Sequence, residues 1–316
     1  MTGASGFVGG AVCRALAAEG VTVFAYGRRP AVAASHVGGA AYRSWDLTHG
    51  PVEHGPVEHG PVSGAPEVDA VVHCAGSATD WGPAAGLFAA NLTGTRSALA
   101  SFPGARFVHV STASVYDPFR PSAMATEDEA PVARYLNAYG ASKAAAERAV
   151  LSAGRDAVVL RPHAVYGPGD TTLLPRVLSA VRGPILPAAG TGRQRISLTS
   201  IGNLVQACLL AATGPVASGV FNIADAAPVA IDDALREILR ERGVRARPVY
   251  APAPLARALA AVAEGAFLLA KRPEPPRVTR YAVSHLALER TLDITAARTA
   301  LGYAPHETTF AGAAGW

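Results

Sequence analysis

A succession of short apolar runs, each separated from the next by sequence that suits a helix, constrains this chain more than any other feature. Val68-Asp69-Ala70-Val71-Val72-His73-Cys74-Ala75-Gly76, Phe107-Val108-His109-Val110-Ser111-Thr112 and Ala157-Val158-Val159-Leu160-Arg161 read as strands buried on both faces. Parallel strands need crossovers long enough to hold a helix. The alternation therefore specifies an α/β fold with a doubly wound parallel sheet.

The chain opens on glycines at positions 3, 6 and 9, and a helix is expected from about Phe7, with Val8, Val12 and Leu16 on one face and Gly20 placed to end it. Val21 to Tyr26 and Tyr42 to Leu47 read as the next strands. Glycine loop, helix and strand are the later part of a βαβ unit. Its first strand needs about five to six residues and is expected upstream of Met1. In such units glycines make the tight turn, bring backbone N–H groups near a pyrophosphate and let the helix pack closely, so a Rossmann-type dinucleotide site is the functional reading.

Beyond Tyr166 the pattern becomes mixed. Gly167-Pro168-Gly169-Asp170 is a turn, Leu173 to Arg182 suits a helix, Gly219 to Ile223 is one more strand, and Ile231 to Arg242 is an amphipathic helix stopped by Gly243. Residues 1–165 are expected to form the nucleotide-binding part. Residues 166–316 then form mainly a smaller substrate-binding region, with a strand near 219–225 returning to the main sheet. A five-residue repeat, Gly50-Pro51-Val52-Glu53-His54 and then Gly55 to His59, fits neither helix nor strand and reads as a surface loop. Glu53, His54, Glu58 and His59 are potential metal ligands there, but a loop supplies no fixed geometry and no metal is expected.

Composition narrows the function classes. The net charge of +4 is spread over scattered Lys and Arg without a basic stripe, so no nucleic-acid partner is expected. Cys13, Cys74 and Cys208 are far apart in sequence and read as reduced core residues, which suits a cytoplasmic protein. No leader pattern opens the chain, and the apolar stretch Pro254 to Ala270 is too short to span a membrane.

The chemistry is carried by Tyr139-Gly140-Ala141-Ser142-Lys143, in an alanine-rich stretch from about Leu136 to Leu151 that suits a helix. Tyr139 and Lys143, four residues apart, share one face of that helix. Hydride transfer at a carbonyl requires a proton for the developing alkoxide, and a nearby positive charge brings a phenol with a pKa of about 10 closer to that task. Thr112, at the C-terminal end of its strand, is placed to supply a hydroxyl to the substrate oxygen.

These residues, with TGASGFVGG at the start, Asp46-Leu47, HCAG at His73 to Gly76, NLTGT at Asn91 to Thr95, STASVY at Ser111 to Tyr116 and LRPHAVYGPGD at Leu160 to Asp170, make the chain similar to extended short-chain dehydrogenases/reductases. That group also holds nucleotide-sugar epimerases and dehydratases and 3β-hydroxysteroid dehydrogenase-like enzymes. The resemblance implies that Gly3, Ser5, Gly6, Phe7 and Val8 cradle the pyrophosphate, that Asp46 and Leu47 flank the adenine, and that Cys74, Ala75 and Gly76 line the ribose and pyrophosphate path. It implies Tyr139 as acid/base, Lys143 on the nicotinamide ribose, and Thr112 as the hydroxyl residue, with Ser111 and Ser114 as lesser candidates.

An NAD enzyme keeps an acid after the second strand for the ribose 2′-hydroxyl, whereas arginine there pairs with the 2′-phosphate of NADP. This chain reads Tyr26-Gly27-Arg28-Arg29, so Arg28 and Arg29 are taken as cofactor residues and NADP is expected, with NAD as the alternative. Dehydratases of this type follow the hydroxyl residue with Asp-Glu. Ala113-Ser114 stand here, and elimination is set aside. The stretch Arg195 to Val205 and the tail from Thr279 resemble the 3β-hydroxysteroid dehydrogenase-like branch, so net redox chemistry on an alcohol or ketone is expected. A nucleotide-sugar 4-epimerase with tightly held NAD and a non-catalytic dinucleotide-binding protein are the alternatives. His163 reads either as a buried, hydrogen-bonded histidine or as a residue near the nicotinamide, and family members often pair as homodimers.

Overall fold

A computed structural model describes residues 1–51 and 65–316, so the repeat carrying Glu53, His54, Glu58 and His59 lies outside the described residues. Four parallel strands, Ala70–His73, Arg106–Val110, Ala157–Pro162 and Gly219–Ile223, pair in that order. Phe24–Gly27 and Ala41–Ser44 form a second parallel pair. Thr2 joins the two groups, bridging to Tyr26 on one side and His73 on the other. Its N–H donates to Val72 O at 3.0 Å, and Cys74 N donates back to Thr2 O at 3.2 Å. The central position of a doubly wound sheet is thus held by Met1 to Ala4.

Helices cover both faces, as the buried strand runs require. Phe7–Ala18 and Ile201–Thr213 bring Val12, Leu16, Leu204 and Ala207 onto Val72, Val108, Val158 and Leu160. On the other face Gly94–Ser101 and Ala138–Leu151 pack Ala98 and Val150 against Phe107 and Val159. A Tyr26, Trp45 and Phe102 cluster seals the edge of that layer, with Tyr26 edge-on to Trp45 at 5.7 Å.

Two expected strands are shorter in the structure, each for a local reason. Val21 N–H bonds back to Leu16 O at 3.0 Å, closing the helix end, so the strand begins only at Phe24. Asp46 turns out of the sheet and accepts from Thr48 N at 2.9 Å, capping a short turn over Leu47–His49.

The later half adds a small second sheet in which Arg290–Leu292 runs parallel to Ser122–Ala125 and to Ile196. The helix Arg280–Ala287 precedes that strand, and the helix Ala253–Leu269 packs on it. No helix among the described residues is long and apolar enough to cross a membrane.

Candidate active site

The strand Arg106–Val110 leads to Thr112, and the helix Ala138–Leu151 carries Tyr139 and Lys143. Asn137 caps the helix, its side chain accepting from Gly140 N at 3.2 Å. The Thr112 hydroxyl lies beside the Tyr139 phenol and acts on its pKa. Burial holds that phenol above its ordinary pKa, the Thr112 hydroxyl pulls it down, and the Asp80 carboxylate pushes it up. The phenol is therefore protonated at neutral pH.

Lys143 is 6% exposed, and its ammonium donates to Val110 O at 2.8 Å with His109 Nε2 at 3.5 Å. Burial brings its pKa down to about 8, against the upward pull of Glu147 and Cys74. Helical spacing does bring Tyr139 and Lys143 to one side of the helix. In this structure the ammonium is directed at the end of the neighbouring strand, and the groups acting on the phenol are Thr112 and Asp80.

The two lesser hydroxyl candidates separate. Ser111 donates to Glu147 Oε1, and that carboxylate pairs with Arg161 at 2.8 Å, both side chains being buried. Ser111 thus serves an internal ion pair and does not face the site. Ser114 receives the Thr112 hydroxyl at 3.1 Å and lies 2.7 Å from the Tyr281 hydroxyl. It lines a pocket with Tyr281, His163, His285, Leu136 and Leu292. Tyr281 sits edge-on to Tyr139 at 6.3 Å.

The glycine loop fits a dinucleotide. Gly3 has φ +70°, and a Cβ there would lie 2.6 Å from Ala75 N. A Cβ on Gly9 would lie 2.1 Å from Gly3 O, so helix and loop touch backbone to backbone. The N-cap residue Gly6 makes no side-chain cap, which leaves first-turn N–H groups near Phe7 and Val8 free for an anion. Gly76 abuts Asn91 Oδ1, which accepts from Ser77 N at 2.7 Å, while Asn91 Nδ2 donates to Ser142 Oγ at 2.9 Å. Asn91 so ties the loop after Cys74, Ala75 and Gly76 to the catalytic helix.

At the end of the second strand a Cβ on Gly27 would lie 2.5 Å from Ser5 Oγ and 2.8 Å from the Tyr42 hydroxyl. A side chain there would have to displace the Ser5 and Tyr42 hydroxyls. Arg28 and Arg29 beside it are exposed and form no ion pair among the described residues. Asp46 has its carboxylate on Thr48 and a lowered pKa for that reason, and Leu47 is buried at the edge of the core.

Several side chains over the site were not singled out as functional residues in the sequence, although the tail from Thr279 was marked by its resemblance. Asp80 receives Arg176 at 3.2 and 2.9 Å and the Thr279 hydroxyl at 2.7 Å, fastening the loop after Gly76 to the C-terminal half. Tyr281, His285 and Arg290 enter the pocket from about 170 residues beyond Thr112. His163, singled out in the sequence, is buried and hydrogen-bonded as expected of a satisfied histidine, and it also lines the pocket.

Fold and site together describe an oxidoreductase that works with a nicotinamide dinucleotide. The model of the NAD dependent epimerase/dehydratase family matches residues 1–224, and the chain belongs to that family, as its motifs imply. It is 31% identical over 324 residues to the 2-alkyl-3-oxoalkanoate reductase of Shewanella oneidensis, covering 96% of this chain and 81% of that one. It is 32% identical to the 4-hydroxy-2-methyl-3-oxo-4-farnesyl-3,4-dihydroquinoline-1-oxide ketoreductase of Stigmatella aurantiaca, with 98% and 92% covered. Among solved structures, the UDP-glucuronic acid 4-epimerase of Bacillus cereus in complex with NAD superposes with a TM-score of 0.69 at 20% identity, over 99% of this chain and 95% of that one. At that identity the likeness is one of fold.

Proposed function

We propose that this chain reduces a ketone to an alcohol with NADPH. The observation that carries the reading is geometric: the Tyr139 phenol stands beside the Thr112 hydroxyl, which donates to Ser114, and Ser114 meets Tyr281, edge-on to Tyr139, in the wall of a pocket. A protonated acid next to a hydroxyl is what carbonyl reduction needs, because negative charge grows on the oxygen as the carbon is reduced. The reduced nicotinamide, when bound, supplies the hydride. Tyr139 gives its proton to the oxygen. Thr112, whose hydroxyl now rests on Ser114, turns to hold that oxygen in place, and Lys143 binds the ribose hydroxyls of the cofactor. Gly3, Ser5, Gly6, Phe7, Val8, Cys74, Ala75 and Gly76 hold the pyrophosphate end.

NADPH in place of NADH is supported by the crowded Gly27 and the unpaired Arg28 and Arg29. A ketone substrate is supported by the two ketone reductases among the relatives and by the apolar Leu136, Pro118 and Leu292 in the pocket wall.

The test starts with Tyr139→Phe, expected to lower kcat by about 10²- to 10⁴-fold while cofactor binding, followed by NADPH fluorescence, persists. Wild-type activity in that variant would overturn the assignment. NAD that copurifies and resists removal would instead point to a 4-epimerase, and nucleotide sugars would become the substrates to assay.

A further inference from the structure

We propose that His285 selects substrates carrying a hydrogen-bond donor, a hydroxyl group, near the carbonyl that is reduced, by accepting that hydrogen bond at Nε2. The inference rests on the ketone-reductase reading and follows from where the protons of two histidines must lie.

His163 Nδ1 is 2.7 Å from Ser197 O, and a carbonyl oxygen only accepts, so Nδ1 carries a proton. His163 is buried and holds a single ring proton at neutral pH, burial having brought its pKa down to about 4. Its Nε2 is therefore bare. That atom lies 2.8 Å from His285 Nδ1, so Nδ1 of His285 is the donor. Burial and the positive charges of Arg290 and Arg176 keep His285 neutral as well, and its own Nε2 is left as a lone pair.

No described residue donates to this atom, and it is not among the polar atoms sealed in the core. His285 is half-buried and lines the pocket. Its ring lies 4.3 Å from that of Tyr281, which in turn stands edge-on to Tyr139. The acceptor is thus one ring beyond the proton donor. Three donor-bearing residues of the same pocket are committed elsewhere. Arg290 spends its guanidinium on the carbonyls of Asp117, Pro118, Arg120 and Ser284 and on Ser122 Oγ. Ser114 and Tyr281 satisfy each other. A substrate that puts an apolar group against His285 leaves a buried acceptor unpaired, whereas one with a hydroxyl there completes the chain from Ser197.

The experiment compares ketones bearing a hydroxyl one or two carbons from the carbonyl with their methyl ethers, measuring kcat and KM for wild type, His285→Leu, His285→Gln and His163→Leu. For one hydroxyl position, wild type is expected to favour the hydroxy ketone by about 10- to 100-fold in kcat/KM, mostly through KM. The ratio should collapse towards 1 in His285→Leu whatever the absolute rates. It should return in part in His285→Gln, whose amide oxygen also accepts. It should fall in His163→Leu, where His285 is free to move its proton to Nε2. Equal treatment of each pair by wild type, or an unchanged ratio in His285→Leu, overturns the proposal. Tyr139→Phe is run beside them. Full turnover in that variant overturns the catalytic assignment alone, and the ratios still decide the role of His285.

Discussion

Lys143 shows what burying a charged residue costs this fold. Its ammonium is buried, and its pKa falls from the ordinary 10.5 to about 8. The unfolded chain therefore binds this proton more tightly, and between about pH 8 and 10.5 the contribution of Lys143 to stability rises with pH. At pH 7 the burial costs about 3 kcal/mol. Lys143→Met is expected to raise stability at pH 7 by up to that amount and to flatten the alkaline rise, as read by urea unfolding at pH 7 and pH 10. On the proposed role of Lys143 the same variant should also lose activity, because the ribose contact proposed for its ammonium would go together with the hydrogen bond to Val110 O. A variant no more stable than wild type at pH 7 would refute the assignment of that cost.

At the scale of elements, the proposed preference for NADPH rests on the turn after Phe24–Gly27. Arg28→Ala with Arg29→Ala is expected to raise KM for NADPH by about 10-fold or more, as the loss of charge-assisted hydrogen bonds to a phosphate requires, with little change for NADH. Gly27→Asp should fail to convert the enzyme to NADH because its side chain displaces Ser5, which is proposed to hold the pyrophosphate. Steady-state kinetics with both cofactors checks each variant. Elements of this kind were legible in the sequence where a local rule decides them. Gly219–Ile223 and the helix from Phe7 coincide with their apolar runs, because strand burial and the Gly3 turn are encoded within a few residues. The catalytic helix begins at Ala138, after its Asn137 cap, two residues later than its alanine content suggested. The orientation of Lys143 was not legible, because spacing fixes the face of a helix and not where a four-carbon side chain ends. The places of Asp80, Tyr281 and His285 in the site were equally hidden, although the tail from Thr279 that holds the last two carried a family resemblance. Each matters through a partner 96 to 199 residues away in the chain, and no pattern within a segment reports such a meeting.

For the molecule as a whole, four imidazoles, His73, His109, His163 and His285, are neutral by burial, with pKa values pulled well below 6.5. Unfolding lets each take up a proton at mildly acidic pH. Stability should therefore fall as pH drops from about 6.5 towards 4, by up to about 1.4 kcal/mol per pH unit for each histidine. Urea unfolding across that range tests this, and a flat profile would refute it.

The pairing of Arg290–Leu292 with Ser122–Ala125 and Ile196 has a consequence for how the enzyme comes into being. Chains emerge from the ribosome N-terminus first and fold in part as they appear. The loop, the catalytic helix and most of the main sheet are complete when about two thirds of the chain has been made, yet the wall bearing Tyr281, His285 and Arg290 does not exist until nearly the end of synthesis. On the proposed roles, a nascent or prematurely ended chain would have the means to hold a cofactor before it has the means to choose a substrate.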